Sequence, residues 1–371
     1  MKRTLLGNLF LTAGVLLLAT GPARADEEKV LNVYNWAEYI GENTVRQFER
    51  ETGIKVRYDH FDSNEVLLTK MIAGRSGYDI VVPSGDFGRL MIDGALVRKL
   101  DRSKLPNWRH LSSPVMTLMG RLDADNQYMV PWLGSTVAVG YNVDQVKAAL
   151  GDLPLPENPY ELVFNPTYTK KLKACGISML DSASDVFPSA LMYVGKRAYS
   201  NQPADYQLAA AMLQKVRPDI GLFSFNGYID DLARGQICVA LGYGGDFGNA
   251  ARRAKAAGRP VNIAAPLPPG GAQFGFEAMM IPVDAPHPEN AHQWIDFILR
   301  PEVQAEITNK VMFTSPNQSA RAFIKPEVLA NPIAFPPDDW LLTKAQVYEV
   351  RRSDTRRAMT RFFTAFKSGL H

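Results

Sequence analysis

Short β-rich runs alternate with helically spaced runs along most of this chain, and that alternation restricts it to a mostly parallel α/β sheet flanked by helices. Val30–Trp36 (VLNVYNW) reads as a strand. Residues 44–51 carry Val45 and Phe48 at helical spacing and stop at Gly53. Lys55–Phe61 reads as a second strand, and Asn64–Ala73 as a helix with Leu67, Leu68, Met71 and Ile72 on one side. Residues 78–83 (YDIVVP) are a short apolar strand of the kind buried in parallel sheets. A long apolar run at 129–142 (MVPWLGSTVAVGYN) reads as the place where the chain passes from one sheet to another. The alternation then resumes, with strands at 175–180, 237–242, 261–265 and 277–282 and helices at 184–194 and 206–216. A helix around Trp294, Ile295 and Ile298 closes at Pro301, and prolines between Pro332 and Pro337 mark an extended connection. Met359, Phe362, Phe363 and Phe366 form a stripe on a terminal helix, which predicts docking on a core. A length of 371 residues suits two domains or one divided domain, and 46% hydrophobic against 21% charged residues excludes disorder as the main state.

The first residues, MKRTLLGNLFLTAGVLLLATGPARADEE, have a basic start, a short apolar stretch and an Ala23-Arg24-Ala25 small-x-small site. This predicts an export signal over residues 1–25, and no Cys lies there to carry a lipid anchor. Gly7, Asn8, Thr12 and Gly14 interrupt the apolar stretch, which is short for a spanning helix. Cleavage after Ala25 would remove Lys2, Arg3 and Arg24 and no acid, taking the formal charge from +3 to zero. The mature chain is therefore expected to be soluble outside the cytoplasm. It has no basic run of the kind that binds nucleic acid.

Only two cysteines occur, Cys175 and Cys238. In an oxidising compartment a lone pair suggests one disulfide, and two buried thiols are the alternative. No cofactor motif is present: there is no G-x-S-x-G, H-E-x-x-H or Walker sequence, and the five His and two Cys show no metal-ligand spacing. His287 and His292 lie in a Pro-rich approach to a helix. The run Gly242-Tyr243-Gly244-Gly245-Asp246-Phe247-Gly248 invites a dinucleotide reading, but its third glycine is one position late. The Asp246 charge would also repel a pyrophosphate.

A different pattern recurs. Strand ends are followed by Trp36, Glu38 and Tyr39, by Ser84 and Asp86, by Asp181 and Asp185, and by Tyr243 and Asp246. Ligands of α/β sheets bind beyond the carboxyl ends of the strands. Taken singly, each acid reads as a helix cap or dipole partner. Taken together they describe a cleft of carboxylates and rings, which suits a cation with apolar methylenes.

The motifs YNWAEYI (34–40), FERETGIKVRYDHFDSNEVL (48–67), GYDIVVPS (77–84), LDRSKLPNW (100–108), GYNVDQVKAALG (140–151), YIDDLARGQICVALGYGGD (228–246) and FILRPEV (297–303) resemble bacterial putrescine/spermidine-binding proteins. These are the periplasmic receptors of ABC-type polyamine importers. The resemblance covers nearly the whole mature chain. It implies a two-lobed, type II periplasmic binding protein, each lobe a mostly parallel sheet flanked by helices, with the ligand cleft at a hinge. The lobes would comprise 26–137 with 260–315, and 138–259 with 316–371. It implies a Cys175–Cys238 pair, and ligand contacts at Trp36, Glu38, Tyr39, Ser84, Asp185, Tyr243, Asp246, Glu277 and Phe313. It implies a monomer that hands a small amine to an inner-membrane permease.

The chain departs from the putrescine pattern at several of these positions. Ala37-Glu38 replaces Ser-Asp, Tyr243 replaces Trp, Phe313 replaces Tyr, and Asp185 and Glu277 exchange carboxylate lengths. Gly275 stands where one wall has a ring, so Phe274 or Phe276 supplies that ring or the wall is open. Acidity is kept while shape changes, which fits an amine and leaves agmatine, cadaverine or an ω-amino acid as alternative ligands. A secreted enzyme working with a carboxylate pair is the remote alternative, since nothing in the sequence marks one acid as a proton donor.

Overall fold

The structure, a computed structural model, describes residues 27–369; the expected export signal lies outside the described residues. Strands β1 (Val30–Trp36), β2 (Lys55–Phe61) and β3 (Ile80–Val81) form a parallel sheet in the order β2-β1-β3. The two-residue alternation of β1 sends Leu31 and Val33 into one core and Tyr34 into another, so the sheet is covered on both faces. The local signals act where expected. The helix Thr44–Thr52 ends at Gly53 in a left-handed conformation, φ 72°, whose N–H returns to the Glu49 carbonyl. The helix Asn64–Ala73 starts at Ser63, whose hydroxyl accepts from the Val66 N–H at 3.2 Å.

The second sheet contains β4 (Val130–Asn142), β5 (Ile177–Leu180), β6 (Leu222–Ser224), β7 (Val239–Tyr243), β8 (Ile263–Ala264), β9 (Ala272–Met279) and β10 (Ala345–Val347). Its order is β10-β9-β4-β7-β5-β6, with β8 on β4. β7, β5 and β6 run parallel, whereas β4 is antiparallel to both β7 and β9, so the sheet is mixed. Strand β4 is the crossing element. Its first part pairs with β9 from Val130 to Val137 and puts Val130, Trp132 and Leu133 into the first lobe's core. Its second part pairs with β7 from Val137 to Tyr141 and puts Val137, Ala138 and Val139 into the second lobe's core.

Strand β9 begins at Ala272, earlier than the 277–282 run predicts. Gln273 and Gly275 break the apolar pattern in sequence, yet Gln273 is buried because its amide donates to the Asp185 carbonyl at 2.6 Å and to the Ser189 hydroxyl at 2.7 Å. Beyond β9, single bridges Val81↔Met280 and Val97↔Pro282 tie the three-stranded sheet to the larger one. On the terminal helix Ser353–Ser368, Met359, Phe363 and Phe366 are buried in the second lobe's core and Phe362 packs against it. Residues Ala320, Ile324 and Val328 pack on the helix Pro301–Val311 through Ala305, and Leu341 and Val347 join the core that contains Tyr34.

Cys175 and Cys238 form a disulfide, with Cα atoms 5.5 Å apart, just before the starts of the adjacent parallel strands β5 and β7. Among the described residues no helix is long and apolar enough to cross a membrane. The packing between β4 and the helix Gly244–Ala256 depends on Gly140, where a Cβ would lie 2.1 Å from the ring of buried Phe247. Gly140→Ala is therefore expected to destabilise the protein by about 1–3 kcal/mol through overpacking, read as a lower denaturation midpoint at unchanged m-value.

Candidate functional site

Among the helices that begin with an acid in the first turn beyond a strand end are those of Asp86 on Gly85–Asp93, Asp185 on Ala183–Tyr193 and Asp246 on Gly244–Ala256. An acid there complements the helix dipole. These acids do more: Asp86 and Asp185 act by charge on Glu277 of β9, and Asp185, Asp246 and Glu277 all act on Tyr243. Asp185 and Asp246 are only 7% and 9% exposed, and Glu277 and Asp86 retain partial solvent contact. Burial is the main cause of raised pKa values at all four. It pushes Glu277 up to about 7, Asp246 to about 6 and Asp86 to about 6, and raises Asp185. Asp86 and Asp185 also raise Glu277 by their charge, so these three share one end of the site, whereas none of the three acts on Asp246.

Tyrosine hydroxyls hold the carboxylates. Tyr39 donates to Glu277 Oε2 at 2.9 Å, Tyr243 to Asp185 Oδ2 at 3.1 Å, Tyr348 to Asp185 Oδ1 at 3.3 Å and Tyr228 to Asp246 Oδ2 at 2.5 Å. Tyr228 in turn accepts the Tyr243 N–H at 2.9 Å. Burial first, and the carboxylate each phenol touches second, keep all four phenols well above their ordinary pKa. They stay protonated and act as donors. Neutral donors satisfy the oxygens without cancelling the charge, and none of the four acids is in a salt bridge among the described residues.

The remaining sequence-derived residues fall into place unevenly. Phe313 meets the Tyr39 ring edge-on at 5.4 Å. It also lies over Gly245, where a Cβ would be 2.4 Å from its ring, so a glycine of the 242–248 run makes room for this ring rather than for a phosphate. Ser84 is clamped by Asn64, whose amide donates to its hydroxyl at 3.0 Å, and it bridges to Glu277 across the strand. Trp36 is half-buried, its indole N–H donating to the Val82 carbonyl at 3.0 Å and its ring 4.4 Å from Phe61. Glu38 stands apart: it is exposed, at φ 56°, in the turn that delivers Tyr39 to Glu277.

The wall at Gly275 is built by a residue absent from the sequence-based set. Phe274 and Phe276 are buried against each other, with centroids 4.9 Å apart. A Cβ on Gly275 would lie 2.4 Å from the Tyr348 ring, so Tyr348 covers that position. It reaches there because β10 pairs with β9, Val347 opposite Phe274. Sequence reading also passed over Tyr228, Tyr199 and Arg351, and it noted Asp86 after a strand without assigning it to the site.

Residues 43–337 match the family of bacterial extracellular solute-binding proteins. The chain belongs to that family. It is 41% identical over 362 residues to the putrescine-binding periplasmic protein PotF of Escherichia coli (strain K12), spanning 97% of each chain. It is 40% identical over 369 residues to the putrescine-binding periplasmic protein SpuD of Pseudomonas aeruginosa (strain UCBPP-PA14), spanning 100% of each. Among solved structures, the spermidine/putrescine ABC transporter substrate-binding protein PotD of Streptococcus pneumoniae superposes with a TM-score of 0.79 at 24% identity, over 92% of this chain and 99% of that one. That likeness shows the two-lobed fold.

Proposed function

We propose that this protein is a periplasmic receptor that captures a di- or polyamine of the putrescine/spermidine class and delivers it, as a monomer, to an inner-membrane ABC permease. One observation supports the reading: the buried carboxyls Asp86, Asp185 and Glu277 act on one another by charge, Asp246 shares Tyr243 and Tyr39 with them, and all four are raised in pKa first by burial without an ion pair among the described residues. The relatives' names and the export-type first segment support the ligand class and the compartment. One ammonium is assigned to Asp246 with Trp36. The other is assigned to Asp185 and Glu277, with Asp86 beside them and Glu38 added from the rim on closure. The methylenes lie between Tyr39, Tyr243, Phe313 and Tyr348. Ser84 orients Glu277.

The mechanism follows from electrostatics. Closing an empty cleft would desolvate unpaired carboxylates, which keeps the empty protein open. An ammonium offsets that penalty by charge-assisted hydrogen bonds, and each well-placed ring adds about 0.5–2 kcal/mol. The ligand's preference for the closed form drives the lobes together about the two strands that join them, β4 and β9. The raised pKa values of the cleft acids come first from burial, with neighbouring carboxylates adding to it at Glu277 and Asp86, and the site is read as a binder without turnover. Titration calorimetry of unfolded and refolded protein with putrescine, cadaverine, spermidine, agmatine and 4-aminobutyrate tests the reading. Stoichiometric amine binding in the micromolar range or tighter, about −8 kcal/mol, is expected; absence of any amine binding sinks it.

The cleft acids also impose a pH dependence. A carboxyl whose folded pKa is raised holds its proton more tightly in the folded chain than in the unfolded one. Stability of the empty protein therefore falls as pH rises from about 4 towards 7 and levels off above the folded pKa values. Glu42 and Asp230 are held low by Lys310 and Arg253, Glu51 by the Gln47 amide and then Arg300, and Asp354 by the Thr355 N–H and then Arg352, so their contribution is lost only at more acidic pH. Empty protein is expected to melt higher at about pH 5 than at about pH 7.5, with a shallower dependence in Glu277→Gln. Putrescine affinity runs the other way and rises by about tenfold or more over that interval, because the cation needs ionised partners. A flat affinity profile would show that these acids do not contact the ligand.

A further inference from the structure

We propose that Arg351 is a built-in counter-ion at the Asp86–Asp185 end of the cleft and that it sets the charge of the accepted ligand, favouring a diamine over longer polyamines. The inference rests on the reading of the site as an amine receptor and names the substrate class within it. Arg351 is 6% exposed, and its Nε and Nη1 have no hydrogen-bond partner. A guanidinium so buried is normally paired. Here it lies over a ring: the guanidinium carbon is 5.3 Å from the Tyr199 centroid. Tyr199 is edge-on to Tyr348 at 6.0 Å, and the Tyr348 hydroxyl is on Asp185 at 3.3 Å. The Tyr199 hydroxyl donates to Gln273 Oε1 at 3.3 Å, and the Gln273 amide donates to the Asp185 carbonyl at 2.6 Å. Two short chains of contacts thus lead from the guanidinium to Asp185.

Arg351 lies close enough for its charge to pull down the pKa of Asp86 and of Asp185 against the effect of burial, yet it is in no salt bridge with either. Its charge does not act on Asp246. The cleft is therefore asymmetric. At one end Asp246 has only the Tyr228 hydroxyl and a distant Arg253. At the other, a fixed positive charge offsets one of the clustered carboxylates. One ammonium at each end is accommodated. A further ammonium at the Arg351 end meets a like charge in a partly desolvated space, which weakens binding by about tenfold or more.

The experiment compares putrescine and spermidine by calorimetry at about pH 8, where the cleft acids are ionised, on refolded wild type, Arg351→Gln and Arg351→Lys. Wild type is expected to prefer putrescine by about tenfold or more, Arg351→Gln to lose about tenfold of that preference, and Arg351→Lys to retain it. A ratio of two ligands is insensitive to a general loosening of the fold. A folded Arg351→Gln that keeps the wild-type preference overturns the proposal. If Arg351→Gln does not fold, the wild type decides: spermidine bound as tightly as putrescine overturns the proposal, and a clear putrescine preference retained by Arg351→Lys supports it. A wild type that binds amines with the opposite preference removes this inference alone, whereas one that binds no amine removes the receptor reading as well.

Discussion

Replacing Asp246 by asparagine is expected to weaken putrescine binding by about a hundredfold or more while leaving the empty protein at least as stable as wild type. The loss follows from removing one partner of a desolvated charge pair, which costs about 3–5 kcal/mol. The gain has a separate cause. Burial pushes Asp246 up to about 6, so at neutral pH its ionised form opposes the empty fold. Asparagine has no charge to desolvate and still presents an oxygen to the Tyr228 hydroxyl that now sits 2.5 Å from Asp246 Oδ2. Calorimetry and thermal melts at about pH 7.5 read the two effects independently. Unchanged affinity would show that Asp246 does not bind the ligand, and a lower melting temperature with lost affinity would show that it is chiefly structural.

Removing the Cys175–Cys238 crosslink is expected to destabilise the second lobe by about 4 kcal/mol on the chain-entropy account, because the bond closes a loop with a sequence separation of 63. For a protein of this size that corresponds to a melting temperature lower by about 5–10 °C. The double variant Cys175→Ala/Cys238→Ala avoids a lone reactive thiol. Ligand affinity should change by less than about threefold. Both cysteines precede the starts of β5 and β7, whereas Asp185 and Asp246 follow the opposite ends of the same strands. A fall below about 2 °C would mean that the native packing of β5 against β7 already restrains the chain without the bond.

Features that depend on neighbours in sequence were legible, and those that depend on distant segments were not. Val30–Trp36 and Asn64–Ala73 begin and end where the β-rich run and the helical spacing predict. The helix-start positions of Asp185 and Asp246 were legible because a strand end followed by a helix start is a local pattern. The passage of 129–142 from one part of the fold to the other was visible as a long apolar run, and it is β4. Tyr348 and Arg351 gave no comparable signal. They follow a strand of three residues, β10, whose position is set by pairing with β9. In sequence, Arg351 belongs to an RR pair that reads as a solvated charge, and only the tertiary structure shows it buried. The ring at Gly275 had two adjacent candidates in Phe274 and Phe276, and both are consumed by the core. Nothing local distinguishes a glycine beside an opening from a glycine beneath a ring delivered from the far end of the chain.

β4 has a consequence for how occupancy can be sensed. A single ribbon of 13 residues contributes its first residues to one half of the molecule and its last to the other, with no break between them. Such a ribbon can flex but cannot slide against itself without losing its hydrogen-bond ladder. Under the receptor reading, the face behind it is expected to change less on ligand binding than the spacing of the lobes. Under the same reading, a permease that admits only loaded protein is expected to sense that spacing rather than the back of the strand.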